Sequence, residues 1–215
     1  MSEKDLTEIK FVEQEKEFTV DTNVLRHESN QGDQELEKAA RLFWKHMKMA
    51  VENDDVSIYV PAEVVRELEV QSFNLSPSQN RRIQKLLTLC ETIDLESNHL
   101  VEIEHLIRKM SSYIKAKYDL KQDFKANYPG TSDARILLTA YLLESVLVTA
   151  NVKDFTIYPL LFEYNQDSLL NLKTNDYIRI PKDIHKAIHA DEDFLSMLND
   201  FYNLASKVQY ILMPL

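Results

Sequence analysis

The run "SVLVT", residues 145–149, follows directly on "DARILLTAYLLE", residues 133–144. Val-Leu-Val is β-rich and has no polar alternate, the pattern of a strand buried on both faces. The preceding segment is apolar nearly all round, as expected of a helix buried against a sheet. A strand covered on both faces needs helices on both sides of its sheet. A helix running straight into such a strand is half of a βαβ crossover. These twelve-plus-five residues therefore place the chain in the α/β class.

The same alternation extends along the chain. Strands are predicted at residues 17–20 ("EFTV"), 56–60 ("VSIYV"), 92–95 ("TIDL") and 177–181 ("YIRIP"). Helices are predicted over 35–51, 61–70, 81–90, 98–118 and 183–208, with "SFNLSPSQN" as a break and "DLKQDFKANYPGTS" as a loop. The expectation is a small, twisted, mainly parallel sheet of about five strands, doubly wound and flanked by helices, with an additional C-terminal helix. A length of 215 residues suits one sizeable domain. The expected organisation is a charged N-terminal extension (1–16), a domain over 17–181 with a helical insertion at about 72–129, and a C-terminal extension (182–215). The apolar stripe of that extension, ending in "YILMPL", is expected to pack on the same domain.

Composition excludes several classes. Only two glycines, Gly32 and Gly130, are present, too few for a Gly-rich loop that cradles phosphates. One cysteine, Cys90, excludes an internal disulfide and fits a reducing cytoplasm. No apolar run is long enough to span a bilayer, and the charged N-terminus lacks a signal-peptide core, so a cytoplasmic protein is expected. The net charge of −10 is unlike that of a generic nucleic-acid coat protein. It suits a partner-binding protein, and equally an enzyme that gathers carboxylates around metal ions.

In doubly wound sheets the functional crevice lies beyond the carboxyl ends of the strands, and acids fall there repeatedly in this sequence. Asp21 ends the first strand. Glu63 and Glu67 lie on the helix that begins where the second strand stops. Asp133 opens the buried helix, and Asn151 and Asp154 follow the "VLVT" strand. Each has a plain explanation taken singly: a turn cap for Asp21, a first-turn acid for Asp133, a Glu63–Arg66 surface pair, a loop acid at Asp154. Acids at all the strand ends of one sheet share a common cause if they bind a divalent cation. Hard oxygen donors without Cys or paired His indicate Mg²⁺ or Mn²⁺ rather than zinc.

The segments "FTVDTNVL", "VPAEVVRELE", "SDARILLTAYL" and "VLVTANVKDF", in this order, resemble the four acidic motifs of PIN-domain nucleases. That family includes bacterial toxin ribonucleases and larger single-strand or structure-specific nucleases. The resemblance covers about residues 18–155 plus "YIRIP". It implies that Asp21, Glu67 and Asp133 are the first three acids, and that Asn151 or Asp154 completes the set, the family often placing an acid where Asn151 stands. It further implies one or two Mg²⁺ or Mn²⁺ ions held by Asp21, Glu67, Asp133, Asp154 and Asn151, with Asn23, Thr149 and Glu63 in support. The implied activity is metal-dependent phosphodiester hydrolysis, by a toxin-like or RNA-processing endoribonuclease. Two alternatives stay open: a catalytically weak PIN-like scaffold, and a structure-specific or single-strand DNA nuclease. The implied partners are a nucleic acid, RNA before DNA, a cognate antitoxin or other protein, and a second copy of the chain.

Phosphate backbones need basic neighbours. The candidates are Arg81, Arg82 and Lys85, then Arg108, Lys109, Lys115, Lys117, Lys121 and Lys125, each of which also reads as a solvated helix face. Tyr113, Tyr118 and Tyr128 are candidates for stacking bases, with Tyr113 also in the apolar stripe. His185 and His189 stand at i,i+4 and are expected on an exposed helix face. Cys90 is expected to be packing, and Trp44 a core edge or a partner contact. A haloacid-dehalogenase-like phosphatase would need a second Asp where Asn23 stands, and a receiver-like domain would need an earlier acid pair.

Overall fold

The structure, a computed structural model, describes residues 17–27, 33–118 and 126–213. Its centre is a seven-stranded, mostly parallel sheet in the order β6-β5-β4-β1-β2-β3-β7. The strands are β1 (Glu17–Val20), β2 (Ser57–Pro61), β3 (Glu91–Glu96), β4 (Val146–Thr149), β5 (Leu169–Asn171), β6 (Asp176–Tyr177) and β7 (Gln209–Met213). Five of them, β5-β4-β1-β2-β3, are parallel neighbours, and an antiparallel strand closes each edge. The chain builds outward from β1 to β2 and β3, then returns to place β4 on the other side of β1. The order therefore reverses between β1 and β4, which is where such sheets open a crevice. Apolar β-formers explain this centre: all four residues of β4 and the last three of β1 are buried.

The helices are α1 (Thr22–His27), α2 (Gln34–Glu52), α3 (Ala62–Ser72), α4 (Pro77–Leu87), α5 (Leu100–Lys117), α6 (Thr131–Leu142), α7 (Lys182–His189) and α8 (Glu192–Ala205). Helix α6 packs against β1 through β4, α3 and α5 pack against α6, and α8 packs against α5. Helix α2 buries Leu36, Ala40, Phe43, Trp44, Met47 and Ala50. Trp44 donates its indole N–H to the Val24 carbonyl at 3.0 Å, so it belongs to the core edge. Cys90 is buried, and burial pushes its thiol up to about 12, leaving an inert packing residue.

Several expectations need correction. "YIRIP" is not a parallel strand: only Asp176–Tyr177 pairs, antiparallel to β5, and the fifth parallel position is taken by Leu169–Asn171. The break at "SFNLSPSQN" is partly a helix start. Ser76 and Gln79 form a reciprocal capping box around Pro77 at the first helical position. The C-terminal helix is two helices, because Asp191 accepts from the N–H groups of Asp193 and Phe194 and starts α8 afresh. "YILM" does not extend a packed helix stripe either. It forms β7, antiparallel to β3, with Tyr210, Ile211, Leu212 and Met213 all at least 43% exposed. Within 72–129 the strand expected at 92–95 is present as β3, between α4 and α5. No helix among the described residues is long and apolar enough to cross a membrane.

Candidate functional site

Asp21 continues the line of β1 past its last residue, its backbone N–H donating to Val148 O at 3.1 Å, and its carbonyl then accepts from Val24 N to start α1. The sheet thus fixes the main chain while the carboxylate turns into the crevice between β1 and β4. There Oδ2 accepts from Thr149 Oγ1 at 2.7 Å and from the Asn23 amide. Asn23 also accepts from Ala150 N at 2.8 Å, which ties α1 to the end of β4. Asp21 is only 5% exposed. Burial, reinforced by the charges of Asp133 and Glu67 against the Thr149 bond, pushes its carboxyl up to about 7.

Glu67 reaches the same place from α3. One of its oxygens accepts from Thr22 Oγ1, the other from Ser132 Oγ. Two helix N-termini, α1 and α6, therefore present hydroxyls that orient this carboxylate. Asp133, in the first turn of α6, accepts from Gly130 N at 2.8 Å through Oδ2. A Cβ at Gly130 would lie 3.1 Å from that oxygen, so the glycine permits the close approach. Burial raises the Asp133 carboxyl above its ordinary value despite the Gly130 bond, and the charges of Asp154 and Glu67 add to the rise. Asp154 lies in a 3-10 turn, Val152–Phe155, after β4 and accepts from the Asn151 amide. Asn151 in turn donates its backbone N–H to Thr149 Oγ1 at 2.9 Å.

Asp21, Glu67, Asp133 and Asp154 thus come from four separate elements to one edge, close enough to perturb one another. Oxygen-only donors and a carboxyl that burial keeps from ionising freely are the chemistry that a hard divalent cation offsets. As placed, the acids are bonded to Thr, Ser, Asn and Gly partners. Among the described residues no three His, Cys, Asp or Glu side chains stand as a group that could hold a metal ion. Thr22 and Ser132 were not singled out by sequence. Their signal is position, since each adjoins an acid in the first turn of a helix.

Glu63 belongs to a different network. It accepts from Arg66 at 3.0 Å and Arg135 at 3.3 Å; Arg66 also reaches Asp94 at 2.8 Å, and Arg135 reaches the buried Glu104. The basic candidates divide. Arg82 and Lys85 of α4, joined by Lys48 of α2, line a shallow surface groove, and Arg81 lies beside them on α4 with Nε donating to Pro77 O at 3.2 Å. Lys117 is occupied, 2.6 Å from Asp191 and 2.7 Å from Tyr113 Oη. Tyr113 and Tyr118 both donate to Asp191, so they join α5 to the start of α8 and are not open for stacking. Tyr128 is half-exposed beneath the Arg108 guanidinium, 4.4 Å from the ring centroid. Lys121 and Lys125 lie outside the described residues. His185 and His189 are not on an exposed face: His185 is buried, and the two rings stack with centroids 4.2 Å apart.

No protein-family model and no curated protein matches the chain. Among solved structures, the chain is similar to one from the crystal structure of VapBC2 from Rickettsia felis bound to a DNA fragment from their promoter. The TM-score is 0.44 and the identity 17%, over 65% of this chain and 90% of that one.

Proposed function

We propose that the chain is a Mg²⁺- or Mn²⁺-dependent nuclease of the PIN-like type, hydrolysing phosphodiester bonds at the carboxyl edge of the sheet. The observation that carries this reading is Asp21, a carboxylate buried at the switch point and within reach of the charges of Asp133 and Glu67, with Asp154 in turn acting on Asp133. These four, with the Asn151 side-chain carbonyl, would hold the cation. Bound there, a divalent ion supplies a water of lowered pKa and charge stabilisation on the phosphate and leaving oxygen. The chain's own hydroxyls and amides do the orienting: Thr149 and Asn23 fix Asp21, Thr22 and Ser132 fix Glu67, and Gly130 N–H fixes Asp133. Arg81, Arg82, Lys85 and Lys48 offer contacts to a phosphate backbone. RNA is the favoured substrate and DNA the alternative, in a toxin-like or RNA-processing role within the cytoplasm. An antitoxin-like partner, or a second copy pairing along the exposed edge of β7, completes the proposal.

The test incubates labelled single-stranded RNA and DNA with the full chain, with and without Mn²⁺, beside Asp21→Asn. Cleavage that requires metal and falls by about 10³-fold in the variant is the expected result, matching several kcal/mol of transition-state stabilisation. No cleavage by wild type, or equal cleavage by the variant, defeats the nuclease reading. A second reading, a PIN-like scaffold, has one observation behind it: position 151 carries an amide. Asn151→Asp adds a carboxylate beside Asp154 and is expected to tighten Mn²⁺ binding by about tenfold, read by calorimetric titration. An unchanged or weakened affinity places that position outside the metal shell.

A further inference from the structure

A groove of about 790 Å³ opens between the end of α6, the 3-10 turn Tyr158–Leu161, α7 and α8. It belongs to the opposite end of the sheet from the acids. Glu144, on its rim, immediately precedes β4, whereas Asn151 and Asp154 follow it; four residues of strand separate the two ends by roughly 13 Å. Its floor is aromatic. Tyr141 and Tyr202 lie nearly parallel, 16° apart with centroids at 6.1 Å, and Phe162 packs at 5.7 Å from Tyr141. Its only charged lining residues are two carboxylates, Glu144 and Glu163, and neither forms an ion pair among the described residues.

Two independent observations show that the groove is more than a surface crease. First, Nε2 of His185 and Nε2 of His189 are buried without a hydrogen-bond partner, although His185 itself is only 7% exposed. Burial lowers both imidazoles below their ordinary value, against a backbone hydrogen bond with Phe162 for His185 and with Leu160 for His189, so near neutral pH both rings are uncharged. Second, Glu144 sits at φ 50. Its N–H bonds to Tyr141 O and the next N–H, of Ser145, to Ala140 O, which is the helix-ending motif that normally takes glycine. The other non-glycine residues with positive φ are Asp54, Asn165 and Asn175, types that adopt this conformation more readily than glutamate. Strain of this kind kept at a cavity rim is a pointer to binding.

The chemistry selects among ligands. No Lys or Arg lines the groove, which disfavours phosphates and carboxylates. Two histidines without a third ligand do not make a transition-metal site. Parallel phenol rings with flanking carboxylates complement a positive charge on a flat apolar body. We propose that this groove binds a small organic cation, an ammonium or guanidinium group carried on an aromatic or similarly flat apolar skeleton.

Tryptamine is a suitable probe, with indole-3-propionate as the control of like ring and opposite charge. Isothermal titration of the full chain, without metal or nucleic acid, should show one site for tryptamine with a Kd below about 1 mM. The anionic control should bind at least roughly tenfold more weakly. Glu144→Gln should weaken tryptamine about fivefold with an unchanged melting temperature. Glu144→Gly should lose affinity equally yet melt about 2–4 °C higher, because it relieves the strained backbone. Absence of binding at millimolar tryptamine, equal binding of the anion, or full affinity in both Glu144 variants overturns the proposal. Because no cleavage is measured, these outcomes stand apart from the fate of the nuclease reading.

Discussion

In the presence of a chelator, the metal-free protein is expected to lose stability steadily as pH rises through the mildly acidic range, and Asp21→Asn should remove most of that slope. The Asp21 carboxyl is raised from its ordinary 3.8 to about 7. Between those two values the folded chain keeps the proton and the unfolded chain has released it. The folded state therefore binds more protons in that window, and stability falls with increasing pH. The stabilising contribution is complete below the unfolded pKa and is gone once pH passes the folded one. At about 1.36 kcal/mol per unit, a gap of roughly three units gives about 4 kcal/mol as an upper figure. Asp133, raised in the same direction by burial first, steepens the fall. Asparagine keeps the shape of Asp21 and accepts from Thr149 through its carbonyl, so the variant should be flatter in pH and more stable near neutrality. On the proposed function, Mn²⁺ would bind the ionised acids and should restore wild type most strongly at the alkaline end. Urea titrations across the pH range, with chelator or Mn²⁺, give the comparison. A flat wild-type profile, or an unchanged slope in the variant, would show that Asp21 does not carry this charge.

The parallel centre of the sheet was legible because its strands announce themselves. "VLVT" and "FTV" carry no charged residue and no polar one beyond a β-forming threonine, and in the structure their side chains are buried throughout. The edges were not. β5 has three residues and β6 two, below the length at which alternation can be seen. β7 is apolar at four positions in succession, a run that helix and strand readings share, and it followed a helix directly. Its pairing with β3 is a tertiary fact with no local signature. By contrast, the division between α7 and α8 had a signal in Asp191-Glu192-Asp193, an N-cap followed by first-turn acids. The start of α4 had one in Ser76-Pro77 with Gln79.

The candidate site divides along similar lines. Strand-end position pointed to Asp21 and Asp154, the helix that follows β2 carried Glu67, and the first turn of the helix before β4 carried Asp133. Which acids face the crevice was not readable for α3. Glu63 and Glu67 are one turn apart, yet one pairs with arginines and the other with two hydroxyls. That choice is made by what α6 and β3 bring alongside α3. The histidine pair was misplaced for the same reason. His185 and His189 share a helical face with Ile184 and Ile188 that looks amphipathic in isolation, and only the packing of α7 on α8 turns both rings inward.

That network around Glu63 carries the other large expected effect. Asp94, Arg66, Glu63, Arg135 and Glu104 alternate in sign from β3 through α3 and α6 to α5. Glu104 is buried, and Arg135 is its one ion-pair partner among the described residues. Arg135→Ala leaves that carboxylate desolvated and uncompensated, which should cost about 3–5 kcal/mol. Arg135→Met combined with Glu104→Leu removes both charges and keeps the volume, and should recover most of the loss. A double-mutant cycle from urea melts gives the coupling directly. A loss under about 1 kcal/mol for Arg135→Ala, or additive effects, would mean that water reaches Glu104 and the pair matters little. The consequence reaches the site because Arg135 lies two residues beyond Asp133, and Glu63 one helical turn before Glu67. The ion pairs therefore hold α3 and α6 at the separation from which their acids meet Asp21. The apolar double variant restores packing without that directional tie. Its expected signature is near-native stability with weakened Mn²⁺ binding, a combination that general destabilisation does not produce.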